Sequence, residues 1–230
     1  RVKLGEHQMD RVDAASTLKE VYAILGSDFW IETPCFSSLG AGVIREGTRL
    51  TLLKKTAASG EEIKGVDLGF DFMIRTASTP ERWTDMSEEM AFAFCEMRRS
   101  ARLLKQDRRA AHVDAFTTSA LKLFYYWVCF APLTRGTAAV GYAVLRGVLL
   151  AMGVDLKDQM KAGVQMDWEA ILAGHPDQFV AEVRDWFFAS RCDATWIDQV
   201  PLVGEVLPTL RDRLQALNLE SEENKNILGK

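Results

Sequence analysis

The stretch Ala120–Gly153, ALKLFYYWVCFAPLTRGTAAVGYAVLRGVLLAMG, limits the fold of this chain more than any other. It is an apolar run, a proline-bearing break at Ala131–Gly136 and a second apolar run. In the first run Leu121, Phe124, Tyr125, Val128 and Cys129 recur at i, i+3, i+4, i+7 and i+8, while Leu123, Tyr126, Trp127 and Phe130 fill the other face. Apolarity all the way round belongs to a helix buried on most sides. The second run mixes Ala138, Ala139, Gly141, Ala143, Gly147 and Ala151 with Val140, Tyr142, Val144, Leu145, Val148 and Leu149. Small residues let neighbouring backbones come close, so this run is expected to be the central helix that others pack around. Neither run suits a bilayer, where a span needs about 20 apolar residues. Lys122 and Pro132 interrupt the first run, and Arg146 stands in the middle of the second, where a charge is costly in lipid.

With 230 residues, the chain can bury a sizeable core as one large or two small domains. Its 48% hydrophobic and 26% charged residues are ordinary for a globular protein. A net charge of −4 argues against a generic nucleic-acid binder. Cys35, Cys95, Cys129 and Cys192 lie far apart without a C-x-x-C pair. They read as reduced, mostly buried thiols of an intracellular protein rather than as a zinc set or a disulfide framework. The cytoplasm is the first expectation, and an organelle entered on a cleaved targeting peptide is the second. The chain opens on Arg1 rather than Met, which a cleaved peptide, a trimmed chain and an absent N-terminal domain would each explain.

In chain order, a helix is predicted over Asp13–Leu25, stopped by Gly26. Phe29–Thr33 reads as a short strand ended by Pro34, and Cys35–Glu46 as a loop. Gly47–Lys55 and Phe70–Thr76 read as two strands, with Leu50 and Leu52 on one face of the first and Phe70, Phe72 and Ile74 inward on the second. Thr56–Gly69 reads as an exposed hairpin loop. Ser87 is the expected N-cap of a helix that runs to Leu104 and buries Met90, Phe94, Met97 and Leu104. Two short helices over Asp167–Leu172 and Asp177–Phe188 are divided by Gly174-His175-Pro176. Val206–Leu217 reads as the last helix and Asn218–Lys230 as a polar tail. The expected class is therefore α+β: a small antiparallel sheet near the N-terminus packed on a mainly helical body with a buried central helical hairpin. The expected division is an N-terminal extension (1–26), one α+β domain (27–218, its sheet within 27–83 and its helices within 84–218) and a flexible tail (219–230).

The chain carries few signs of chemistry. His7, His112 and His175 show no H-x-x-x-H or H-E-x-x-H spacing, so no metal site is expected. There is no G-x-S-x-G, Walker A loop or G-x-G-x-x-G, and no cofactor is expected. Asp167 and Glu169 are explained by their place at a helix start. The break at Thr134, Arg135, Gly136 and Thr137 is the candidate ligand site, because a loop leading into a helix N-terminus presents free N–H groups beside a guanidinium. Its outline loosely resembles the active-site loop of Fic-type nucleotidyl transferases, but it lacks that family's His, acid and Asn. The alternative is that Arg135 bridges to a buried acid or to carbonyl oxygens and locks the turn.

Three stretches carry a closer resemblance: Phe124-Tyr125-Tyr126-Trp127, Pro132-Leu133-Thr134-Arg135-Gly136-Thr137-Ala138-Ala139, and Gly163-Val164-Gln165-Met166-Asp167-Trp168-Glu169-Ala170-Ile171. With Asp28-Phe29-Trp30, Glu46-Gly47-Thr48-Arg49-Leu50 and Thr79-Pro80-Glu81-Arg82-Trp83, they resemble the C-terminal, non-repeat region of animal tetratricopeptide repeat protein 13 and its plant relatives, suppressors of effector-triggered immunity. Helical repeats precede this region in the family, whereas nothing in Arg1–Gly26 fits a Trp…Leu-Gly…Tyr repeat pattern. The resemblance implies a scaffold-like domain with protein partners and supplies no catalytic residue. The function expected is a non-catalytic interaction or scaffold domain, such as an accessory subunit of a larger assembly. The alternative is a ligand-binding or degenerate Fic-like domain that uses the Arg135 loop.

Overall fold

The computed structural model describes residues 6–54, 70–75, 80–157 and 161–216. The loop expected over Thr56–Gly69 and the polar tail expected over Asn218–Lys230 lie outside them. The chain is α+β, as its pattern implies. Strands β1 (Phe29–Phe36), β2 (Ile44–Lys54) and β3 (Phe70–Arg75) form an antiparallel sheet in the order β1-β2-β3. A second, two-stranded antiparallel sheet pairs β4 (Val154–Leu156) with β5 (Arg191–Asp193), which the sequence pattern does not reveal.

Helix α1 (Glu6–Asp13) and helix α2 (Leu18–Leu25) replace the single helix expected over Asp13–Leu25. The division is local capping chemistry: Thr17 Oγ1 accepts from Glu20 N at 3.2 Å, and Glu20 reaches back to accept from Ser16 N at 2.8 Å. Gly26, at φ 69°, ends α2 as expected. Strand β1 does not stop at Pro34. The register shifts between Glu32 and Pro34, and pairing resumes through Phe36 with Ile44–Glu46 of β2, so much of the expected loop is strand. At this irregularity Thr33 Oγ1 accepts from Thr48 N and donates to Thr48 O, both at 3.1 Å. A Cβ on Gly47 would lie 2.4 Å from Thr33 O, so only glycine fits there.

Helix α3 (Pro80–Gln106) begins seven residues before the expected Ser87, because Pro80 can occupy the first turn of a helix without losing a needed N–H. Helices α4 (Ala110–Phe130) and α5 (Thr137–Leu150) form the predicted hairpin. It is α4, not α5, that the rest surrounds: α3, α5, β1 and β2, together with α6 (Met166–Ala173) and α7 (Pro176–Ala189), all pack against it. Leu121, Tyr125, Tyr126, Cys129 and Phe130 of α4 are fully buried. Gly141 justifies the small-residue argument at one point, since a Cβ there would meet Trp127 Cδ1 at 2.6 Å. His175 caps α7, its Nδ1 accepting from Asp177 N at 3.1 Å. The last expected helix is two, α8 (Val203–Val206) and α9 (Leu210–Ala216), separated at Pro208.

Arg146 leaves the apolar run to pair with Asp155 of β4 at 2.8 Å. All four cysteines are free; Cys35 and Cys129 are buried, Cys192 is half-buried and Cys95 is exposed. Among the described residues, no helix is long and apolar enough to cross a membrane.

Candidate functional site

The turn from α4 to α5 is built by backbone conformation and two side chains. Ala131 takes a left-handed conformation (φ 44°) and donates its N–H back to Trp127 O and Val128 O, ending α4. Gly136, at φ 78°, leads into α5. Thr137 Oγ1 donates to Leu133 O at 3.1 Å and accepts from Leu133 N at 3.3 Å, while Trp127 Nε1 donates to Thr137 O at 2.8 Å. These contacts close the turn. Thr134, Arg135, Gly136 and Thr137 come together along an open cavity of 340 Å³, with Ile74 of β3 and Asp167 and Ile171 of α6 on its other walls.

Arg135 is exposed and makes no ion pair or hydrogen bond among the described residues, so it is not the lock of the turn that the sequence offered. Thr137 and Trp127 hold the turn instead. What this cavity brings together is one guanidinium, hydroxyls, the N–H groups opening α5 and a single carboxylate at Asp167. Such a set can hold an anion. Among the described residues, no histidine lines it. No group of His, Cys, Asp and Glu among the described residues is arranged to hold a metal ion.

The residue that does the locking is Arg82. It is 4% exposed and near the start of α3. Its Nε donates to Glu46 O at 3.1 Å and Gly47 O at 3.0 Å on β2, and Nη2 donates to Cys129 O at 3.1 Å, near the end of α4. Burial pulls its pKa down, and Glu46 acts against that shift. Glu89, one face along α3 and fully buried, accepts from Ser37 Oγ, from Ser38 N at 3.0 Å and from Arg45 Nε at 3.3 Å. Arg45 also pairs with Asp85 and Glu88. Tyr126 Oη donates to Phe36 O at 3.0 Å and lies 2.7 Å from Ser38 Oγ; burial pushes this phenol up. The same cause raises Tyr125 and Cys129. These buried polar groups fasten the sheet to the helices.

A different surface opens on the far side of α4. Helices α3 and α5 both pack along α4 but scarcely meet each other. The trough between them, 190 Å³, has Leu123 and Trp127 of α4 as its floor, Met90 and Met97 of α3 on one wall, and Val140 and Val144 of α5 on the other. Two burial expectations fail on the helices that wall it. Phe94, in the apolar stripe with Met90 and Met97, is 46% exposed, and Val140 and Val144 of the supposed central helix are 43% and 54% exposed. The sequence lays down apolar faces as if for a further neighbour, and the described residues do not supply one. This signal was present in the stripe, but only the packing shows which part stays uncovered.

The fold and this surface define a class: a mainly helical α+β domain with an open, apolar trough between two helices. No family model and no solved structure matches the chain. It is 35% identical over 201 residues to Suppressor of RPS4-RLD 1 of Arabidopsis thaliana, a match covering 86% of this chain and 18% of that protein. To Tetratricopeptide repeat protein 13 of Homo sapiens it is 27% identical over 115 residues, covering 50% of this chain and 13% of that protein. The chain belongs to the family of these two proteins, the one its motifs resemble. It spans less than a fifth of the length of either relative.

Proposed function

We propose that this is a non-catalytic protein-interaction domain, a scaffold piece or accessory subunit of a larger assembly, and that it receives an apolar-faced helix of a partner protein between α3 and α5. The uncovered trough carries this reading. Contiguous apolar surface on a folded domain, when large, marks interaction sites, and here Val140 and Val144 of the trough wall are exposed, as is Phe94 of α3. Here both walls and the floor are helical, so a fourth helix laid between α3 and α5 would complete a bundle around an existing seam. From Val140 to Val148 the α5 wall runs about 12 Å, or two helical turns, which matches anchors at i, i+3, i+4 and i+7 of an incoming helix. The family supports the reading, because the human relative's name places it among tetratricopeptide repeat proteins, whose stacked helical repeats present binding surfaces.

The test is a titration of isotope-labelled protein with a synthetic helix-forming peptide that has leucine at those anchor positions and glutamine elsewhere. Chemical-shift changes are expected at Met90, Met97, Leu123, Trp127 and Val140, and Val144→Glu should abolish them. Changes absent from these residues, or indifferent to Val144→Glu, overturn the reading. The competing use is an anion or nucleotide held by Thr134, Arg135, Gly136 and Thr137. It requires phosphate or nucleotides to raise the melting temperature through mass action, with the gain lost in Arg135→Ala. We expect no rise with either protein.

A further inference from the structure

The edge of α3 beside the trough carries exposed cations, and from this we infer that the helix the trough takes is acidic along one flank. The inference rests on the trough being a docking surface. Beyond Phe94 the helical spacing carries the same edge of α3 to Arg98 and Lys105, at i+4 and i+11, with Arg102 one turn outward; Lys105 also lines the neighbouring cavity that holds Asp193, Asp198 and Glu205. The Arg98 guanidinium lies 5.8 Å from the centroid of the Phe94 ring, so a cation sits directly beside the exposed apolar anchor. None of Arg98, Arg102 and Lys105 makes an ion pair or hydrogen bond among the described residues.

Several other cations among the described residues are matched, although Arg135 at the α4–α5 turn is not. Arg45 meets Asp85, Glu88 and Glu89; Arg146 meets Asp155; Arg191 meets Asp114; Lys122 meets Asp177; and Arg108 meets Asp193. The chain as a whole has a net charge of −4, so an unmatched basic edge does not follow from composition. On the facing wall, Arg146 is the sole charged residue of α5, and it points to Asp155. Among the described residues, no carboxylate lines the trough.

An apolar floor beneath one basic edge selects a helix with an apolar face bordered on one side by Glu or Asp. The cations are exposed, so they would attract such a flank without being stripped of water. The effect falls on encounter rate and choice of partner as much as on affinity, and salt weakens it. A basic helix with the same apolar face would be repelled. A nucleic-acid backbone fits less well, because the α5 wall offers Val140, Ala143, Val144 and Gly147 where a phosphate chain would need a second row of cations.

The experiment compares three synthetic peptides sharing one leucine face, with flanks of Glu, Gln or Lys, by calorimetry at about 50 mM and about 500 mM salt. At low salt the Glu peptide should bind roughly tenfold more tightly than the Gln peptide, and the Lys peptide more weakly than both. The Glu advantage should collapse at high salt. It should reverse in the double variant Arg98→Glu with Lys105→Glu, whose exposed, unpaired positions leave the fold intact by circular dichroism. Equal binding of the Glu and Gln peptides overturns the acidic flank but leaves the trough as a docking surface. Binding by none of the three overturns both. A Glu preference that survives in the double variant places the selecting charge elsewhere and overturns the inference. Self-association of the unmodified protein in sedimentation, lost in Val144→Glu, would make a second copy the occupant and overturn it as well.

Discussion

The two sides of α4 are built on opposite terms. Toward the sheet, polar and charged groups are buried: Arg82 spans β2 and α4, and fully buried Glu89 gathers Ser37, Ser38 and Arg45. Away from the sheet, apolar groups are exposed along α3 and α5, with Phe94, Val140 and Val144 open to solvent. Buried polar groups cost free energy unless every partner is in place, so they fix one arrangement of the elements they join. Exposed apolar groups fix nothing in the isolated domain. The contrast separates residues that hold the sheet on the helices from residues left over for something else.

Arg82 should produce the largest effect. Removing it leaves three carbonyl oxygens without their donor, so Arg82→Ala is expected to cost about 3–5 kcal/mol and to lower the melting temperature by roughly 10 °C or more. Arg82→Lys should recover little, because one ammonium group cannot reach β2 and the end of α4 together. If chemical denaturation shows Arg82→Lys within about 1 kcal/mol of the parent, the junction is held by apolar contact and the contrast between the two sides fails.

That junction is also where the sequence was least legible. Periodicity showed the α4–α5 hairpin, the strands and the overall class, because each rests on a repeat of apolar residues. Nothing in Arg82 or Glu89 taken alone marks a buried charge; both look like ordinary surface residues in the first turns of a helix. Arg135, beside a proline and a glycine, looked like the structural arginine, and its exposure shows that local turn chemistry does not locate a long-range bridge. Several of the element boundaries that differed have a proline at them. Pro80 started α3 early, Pro34 was absorbed in a strand irregularity, and Pro208 divided the last helix. The four residues of the α4–α5 turn, offered by the sequence as a ligand site, lie along one cavity, whereas the trough needed the packing of three helices to become visible.

Helix α5 shares both characters, since Arg146 ties one side of it to Asp155 while Val140 and Val144 stand free on the other. Burial alone would raise the Asp155 carboxyl, but the Leu156 N–H, the Trp196 indole N–H and Arg146 together hold it below the usual range. A carboxyl with a depressed folded-state pKa stabilises the fold above its unfolded pKa, near 4, and loses that contribution as pH falls through the folded value. Urea melts at a series of pH values should therefore show Asp155→Asn less stable than the parent at neutral pH, with the gap closing below about pH 4. Arg146→Leu should stay folded and cost about 1 kcal/mol, because the pair is partly exposed. A gap that stays constant down to the lowest pH would mean that the carboxylate contributes no charge interaction and that α5 is held by packing alone.

The smallest effects should come from the trough, and their smallness is what distinguishes it. Phe94→Gln and Val144→Gln replace exposed apolar side chains with a polar residue that suits a helix, so each should change stability by no more than about 0.5 kcal/mol. Leu121→Ala provides the scale. Leu121 is fully buried in α4, and its truncation should cost about 2–5 kcal/mol. If the two glutamine variants melt with the parent while losing the neutral leucine-faced peptide, the apolar face contributes to binding and not to folding. If either costs as much as Leu121→Ala, that side chain belongs to the core and the trough is an imperfection of packing. The first outcome would leave α4 as a helix whose sheet-facing side holds the domain together and whose opposite side waits for a partner.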